Sequence, residues 1–195
     1  MQLNNSLTFQ NLINAYAGET QAQTRYQMLA HGAHEKGLFA LEKKLDTLAK
    51  NEYTHARMFY SAIQSADSAT FANLNVCSGY PFKDKWDFVK NFEFAVQNES
   101  SECNFIYPGY AQTAKDEDLN DIAVLFERIS DVEKCHMAQL TEIHRQLTDD
   151  TMYSRSTPTK WKCGECGHEE TIDAAWDVCP LCRSPRGYVM LSLPE

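Results

Sequence analysis

Two short stretches decide how this chain folds: Asn51-Glu52-Tyr53-Thr54-His55-Ala56 and Val132-Glu133-Lys134-Cys135-His136. Each sets a Glu three residues before a His, inside a run whose apolar residues recur at helical spacing. Leu45, Leu48, Phe59 and Ile63 share the stripe of the first pair; Ile122, Phe126, Ile129, Leu140 and Ile143 share that of the second. Residues three apart lie on one helix face, so both members of each pair point toward the apolar side. A charged side chain stays on a buried stripe only when it is paired or holds a metal.

Glu-x-x-His alone is a weak signal: 15 Glu and 6 His in 195 residues give roughly 0.5 chance occurrences. A third one, Glu165-x-x-His168, falls in a cysteine-rich segment where no helix is expected, and reads as chance. Chance does not put an acid on the stripe of every helix. Helix one spans about Thr8 to His34, with Leu12, Tyr16, Glu19, Gln23 and Tyr26 on one face. Gly37 marks the turn into helix two, from about Phe39 to Ala66. Helix three spans about Lys85 to Ala114, with Phe92, Ala95, Glu99, Glu102 and Ile106 in line and a kink expected at Pro108-Gly109. Helix four spans about Asp118 to Leu147. Glu19, Glu52, Glu99, Glu102 and Glu133 lie roughly 11 to 17 residues into their helices, so at about 1.5 Å per residue they can meet in one layer.

One Glu from each of two helices plus Glu-x-x-His from each of the other two is the recipe for a di-iron or di-manganese carboxylate site. Carboxylate and imidazole ligands suit iron or manganese. Two metals bridged by carboxylates can exchange two electrons with a peroxide or dioxygen. Short turns join helices one to two and three to four. Residues 67–83, with Asn73, Asn75, Gly79 and Pro81, carry no sustained period and are long enough to cross the bundle. The fold class expected is therefore all-α: a ferritin-like four-helix bundle with one long crossover, followed by a small metal-ribbon module.

The composition changes near Thr148. Residues 148–158 are polar, end in proline and read as a linker between a bundle at 1–147 and a module at 159–195. That module is too small for a self-sufficient core and needs a metal staple. Cys163-Gly164-Glu165-Cys166 and Cys179-Pro180-Leu181-Cys182 form a tetrahedral S₄ cage for zinc or iron. Zinc would be structural; iron would pass one electron. Trp161 and Trp176 cover the cage or fill the module.

The chain is 43% hydrophobic and 23% charged, ordinary for a globular protein. No apolar run approaches the roughly 18 residues of a membrane span. A net charge of −9 argues against nucleic acid as a partner. The N-terminal residues lack a basic segment followed by an apolar one, and four of seven cysteines are clustered as metal ligands. Reduced thiols and a cytoplasmic location follow as expectations.

Further motifs carry a resemblance. Ala17-Gly18-Glu19-Thr20-Gln21-Ala22-Gln23-Thr24-Arg25-Tyr26, Glu99-x-x-Glu102 followed by Tyr107-Pro108-Gly109-Tyr110, the two Glu-x-x-His stretches and the Cys-Pro-x-Cys knuckle resemble the rubrerythrins, over essentially the whole chain. The resemblance implies a non-haem di-iron peroxidase that reduces hydrogen peroxide to water in oxidative-stress defence. It implies that Glu19, Glu52, Glu99, Glu102, Glu133, His55 and His136 hold two irons. One iron would exchange Glu102 for His55 on reduction. Tyr26 and Tyr107 match tyrosines that hydrogen-bond near the ligands. Cys163, Cys166, Cys179 and Cys182, the rubredoxin-like module, would hold one iron that relays electrons from a rubredoxin or an NAD(P)H-dependent reductase. Family members are typically head-to-tail homodimers. Asn98 stands where a small glycine is usual, and residues 70–82 have no close match. Cys103 and Cys135 adjoin ligands and, read as small buried residues, need no role, although either is open to oxidation; no role is assigned to Cys77. Two other readings are a ferroxidase-like iron handler and a zinc-stabilised helical binding module. His31 and His34 lie about 18 and 22 Å beyond Glu19 along the helix, and they read as solvated, as do His144 and His168.

Overall fold

The computed structural model describes residues 2–66, 75–76 and 85–194. Helix α1 runs Leu7–Glu35 and α2 Phe39–Gln64. Helix α3, Phe88–Ser101, passes through a π-helical turn at Glu102–Ile106 into α4, Tyr107–Asp116. Helix α5 is Asn120–Thr148. The expected crossover at 67–83 lies outside the described residues, apart from Asn75 and Val76; Cys77 lies outside them too.

The helices begin and end on local chemistry. Ser6 Oγ accepts from the Phe9 N–H at 3.0 Å, and the Asp87 carboxylate from the Lys90 N–H at 2.9 Å, each filling an orphan donor of a first turn. Both interhelical turns close the same way. Gly37 has φ 70°, with the Leu38 N–H on the Ala33 carbonyl at 2.9 Å. Asp118 has φ 61°, with the Leu119 N–H on the Ala114 carbonyl at 2.8 Å.

The third helix departs from expectation. The irregularity comes at Glu102–Ile106, before Pro108, and Pro108 sits in the first turn of α4. Proline has no N–H to give, so its gap in the ladder is tolerated at the start of a segment, and the wider turn before it absorbs the break.

The bundle core falls into two apolar layers. One gathers Leu29, Leu41, Leu45, Phe92 and Leu140; the other Leu12, Phe59, Tyr107, Phe126 and Ile129. Between them lies a layer of buried acids and imidazoles.

Strands β1 (Ser154–Lys162) and β2 (Glu169–Ala174) form an antiparallel hairpin, with Trp161 opposite Glu170 and an irregularity between Ser154 and Thr159. Strand β1 thus begins inside the segment 148–158 expected to be linker. The Arg155 guanidinium lies over the Trp161 ring, 5.1 Å from its centroid, which ties that polar stretch to the hairpin. The module's own core is only Trp161, Ala175 and Val189. It sits on the α1–α2 end of the bundle. Tyr188 stacks on Phe39 at 4.6 Å, Lys43 pairs with Glu165 at 2.9 Å, and a Cβ on Gly187 would overlap the Gly37 carbonyl oxygen. The C-terminal tail lies along α5, where Gln146 donates to the Ser192 carbonyl at 3.0 Å.

Candidate metal centre

Each helix delivers its acid to the middle layer: Glu19 from α1, Glu52 and His55 from α2, Glu99 from α3, Glu133 and His136 from α5. All six are buried. Their ligating atoms form two groups, each within 4.8 Å: Glu19, Glu52, His55 and Glu133, and Glu52, Glu99, Glu133 and His136. Glu52 and Glu133 belong to both. Two adjacent four-ligand sites sharing two carboxylates is the arrangement of a bridged metal pair.

The contacts inside the cluster ask for a cation. His136 Nδ1 lies 2.9 Å from Glu52 Oε1 and 2.7 Å from Glu133 Oε2. Yet His136 Nδ1, Glu52 Oε1, Glu99 Oε2 and both Glu133 oxygens have no hydrogen-bond partner. These atoms are close without hydrogen-bond geometry because their lone pairs converge on common points. Buried polar atoms are otherwise almost always satisfied, so the donor set fits metal ions.

The electrostatics agree. Burial and the neighbouring carboxylates drive Glu19 and Glu99 well above the usual carboxylate range. Burial also raises Glu102, with Glu133 and Glu52, to about 8. Burial would lower the two histidines, but the surrounding carboxylates push His55 up to about 12 and His136 to about 9. Burial would raise Glu52, but the imidazoles of His136 and His55 pull it down to about 2. Protons here occupy the place of positive charge that the cluster demands.

Two tyrosines close the layer. The Tyr26 hydroxyl donates to Glu99 Oε1 and the Tyr107 hydroxyl to Glu19 Oε1, and both rings are fully buried. Burial raises Tyr107 well above the phenolic range, so its proton stays available for that bond.

Glu102 is brought close but not in. It is buried, yet it belongs to neither ligand group, although the sequence placed it with Glu99. Its carboxylate is hydrogen-bonded by Asn98, one turn earlier, and feels the Arg25 guanidinium. The position in the first metal group lies with His55, whose Nδ1 is 2.8 Å from Glu133 Oε1. Asn98, Arg25 and Asn51, which contacts His136 Nε2 at 3.2 Å, were not identified as site residues from the sequence. Asn98 left a trace there as a departure from glycine.

The four cysteines form a second centre. All four sulfurs lie within 4.8 Å of one another, with Cys163–Cys182 and Cys166–Cys179 at 3.7 Å. A tetrahedron with metal–sulfur bonds of about 2.3 Å has edges of about 3.75 Å, whereas a disulfide needs about 2.05 Å. The two knuckles repeat one turn. Gly167 and Arg183, each four residues after the first cysteine, have φ of 76° and 67° and donate to the Cys163 and Cys179 carbonyls at 3.0 Å. Glu165 is taken up by Lys43, away from His168, and His31 and His34 pair with Glu35 and Glu42.

A helical bundle with a shared-carboxylate pair site, joined to a tetrathiolate module, defines a class: a di-metal carboxylate protein with its own one-metal sulfur centre. The profile of the Rubrerythrin family matches residues 10–143 and 90–166, and the chain belongs to that family. It is 28% identical over 186 residues to the rubrerythrin of Clostridium perfringens, covering 95% of this chain and 94% of that one. It is 30% identical over 186 residues to rubrerythrin-1 of Clostridium acetobutylicum, with coverage of 95% and 94%. The fold is similar to that of partially reduced nigerythrin, with a TM-score of 0.61 at 22% identity, covering 95% of this chain and 86% of that chain. The protein is thus of the di-iron, oxidative-stress type, with residues that fit a di-iron site and an Fe(Cys)₄ site. Among the described residues no helix is long and apolar enough to cross a membrane.

Proposed function

We propose that the protein is a peroxidase that reduces hydrogen peroxide to water, with electrons relayed through the cysteine centre. The observation that carries this reading is the pair of overlapping ligand groups, buried and short of hydrogen bonds, in a chain that also holds four sulfurs at tetrahedral spacing. Glu19, Glu52, His55, Glu99, Glu133 and His136 would hold the iron pair, and Cys163, Cys166, Cys179 and Cys182 the single iron. Iron at these positions would supply electrons for breaking the O–O bond.

The chain's own residues do the rest. The apolar layers on either side keep bulk water from the acids. Tyr26 and Tyr107 fix the rotamers of Glu99 and Glu19 by donating to one oxygen of each. The Asn51 side-chain amide meets His136 Nε2 at 3.2 Å and fixes the ring, leaving Nδ1 to face Glu52 and Glu133, where a metal would be held. Glu102, at the edge of the layer, holds a proton near neutral pH and is placed to give it to a departing oxygen, with Tyr107 beside it. Peroxide takes two electrons and two protons and leaves as two waters.

We read a bundle at 1–147 and a module at 159–195 as the two halves of this division of labour. The reading places the protein in the cytoplasm, as a head-to-tail homodimer, with a rubredoxin or an NAD(P)H-dependent reductase as donor. A ferroxidase would need no sulfur relay, and a binding module would need no shared carboxylates. Anaerobic stopped-flow mixing of the reduced, iron-loaded protein with hydrogen peroxide tests the proposal. Rapid oxidation of both centres is expected. Oxidation faster by dioxygen than by peroxide would overturn it in favour of the ferroxidase.

A further inference from the structure

The metal-site acids are buried, so a substrate must cross the bundle wall to reach them. We propose that hydrogen peroxide gains access through a polar cavity between α1 and the π turn, whose inner wall is Glu102 and Tyr107. The proposal rests on the peroxidase reading above. The cavity measures about 140 Å³, room for several water-sized molecules. Glu102 abuts the metal ligands, and Tyr107 bonds to Glu19, so the inner wall is the edge of the site itself.

The lining selects for chemistry. Asn14, Gln21 and Asn98 bring side-chain amides to the wall, beside the Arg25 guanidinium and Glu102. An amide-rich wall suits a small uncharged molecule that both donates and accepts hydrogen bonds. Hydrogen peroxide is such a molecule; an anion or a bulky apolar hydroperoxide is not.

Gly18 points the same way. It sits in the middle of α1, where glycine is an unfavourable choice, and no positive φ demands it. A Cβ there would meet Glu102 Oε1 at 3.4 Å, ordinary contact, so the position is not closed by packing. A longer side chain would fill the cavity. Among the described residues, two other cavities are lined by none of the metal-site acids. One of about 310 Å³ is lined by Lys43, Lys44, Tyr188 and Leu191, and one of about 470 Å³ by Gln27, Met28, His31 and Trp86.

Nitric oxide, small and uncharged, is the probe, mixed with the reduced, iron-loaded protein and followed by absorption. Gly18→Leu and Gln21→Phe plug the cavity from two positions. Both should slow nitric oxide binding and lower kcat/KM for hydrogen peroxide at least tenfold, with iron content unchanged. Gln27→Phe, in the cavity of about 470 Å³, should change neither. If Gly18→Leu loses iron, Gln21→Phe decides. Nitric oxide binding within twofold of the parent in the iron-loaded plugged protein overturns the proposal. Nitric oxide binding needs no turnover. Slowed binding in a protein that never reduces peroxide therefore keeps the access route and removes only the peroxidase reading.

Discussion

Glu133 and Glu102 are both buried acids of one layer and should differ completely in consequence. Glu133 reaches both ligand groups with two unsatisfied oxygens; Glu102 reaches neither. Glu133→Gln should drop iron from three to one per chain and leave the cysteine centre filled, whereas Glu102→Gln should keep three. Metal analysis of protein made without oxygen reads both. Equal iron loss in the two variants would mean that the carboxylates act as an undifferentiated cluster. The buried acid cluster was legible in the sequence because an acid on an apolar stripe is anomalous wherever it occurs. The partners Asn98, Arg25 and Asn51 were not, since a polar residue at a stripe's edge is ordinary until its cross-helix neighbour is known. The place of Glu102 outside the two groups depends on such neighbours, which spacing alone does not reveal.

Among the elements, the helices were legible to within a few residues at each end, and the π turn was not. Periods of 3.6 residues and one wider turn leave the same apolar pattern over five positions. The consequence shows in Tyr107. Eight residues after Glu99, it would stand about 80° off that face in a continuous α-helix. A π turn takes back about one residue of rotation, roughly 100°, and returns Tyr107 to within about 20° of it. The start of α1 depends on another element. The Glu117 carboxylate, in the α4–α5 turn, accepts from the Leu7 and Thr8 N–H groups at 2.9 Å each. Burial opposes its charge, but the bonds from Thr8 and Leu7 together outweigh that and hold its carboxyl below the usual range. Glu117→Ala should destabilise the protein by about 1 kcal/mol near neutral pH, the size of a lost helix cap. Denaturant unfolding checks this. Because the pKa is lowered by folding, the difference should shrink as pH falls through the folded-state value.

Across the whole molecule, a stable fold and a metal site oppose each other when the metals are removed. Glu102 rises from 4.5 to about 8 and His136 from 6.5 to about 9 on folding. Between those limits the folded chain binds more protons than the unfolded one, so its stability falls as pH rises. The chelated protein should therefore lose Tm steadily from about pH 6 to pH 9, while the iron-loaded protein should hold its Tm over the same range. A chelated protein with a flat profile would show that the layer is solvated. The seating of the cysteine module on the bundle was not legible in the sequence. It depends on Gly187 meeting Gly37 and on Tyr188 meeting Phe39, pairs too far apart in the chain to leave a periodic trace.

Anomalous X-ray scattering at the iron edge, from crystals of protein loaded without oxygen, tests the central claim most directly. The account predicts three peaks per chain: two in the buried layer with Glu52 and Glu133 between them, and one among the four cysteine sulfurs. A single peak at the cysteines, with the acids turned to water or bonded only to each other, would contradict it.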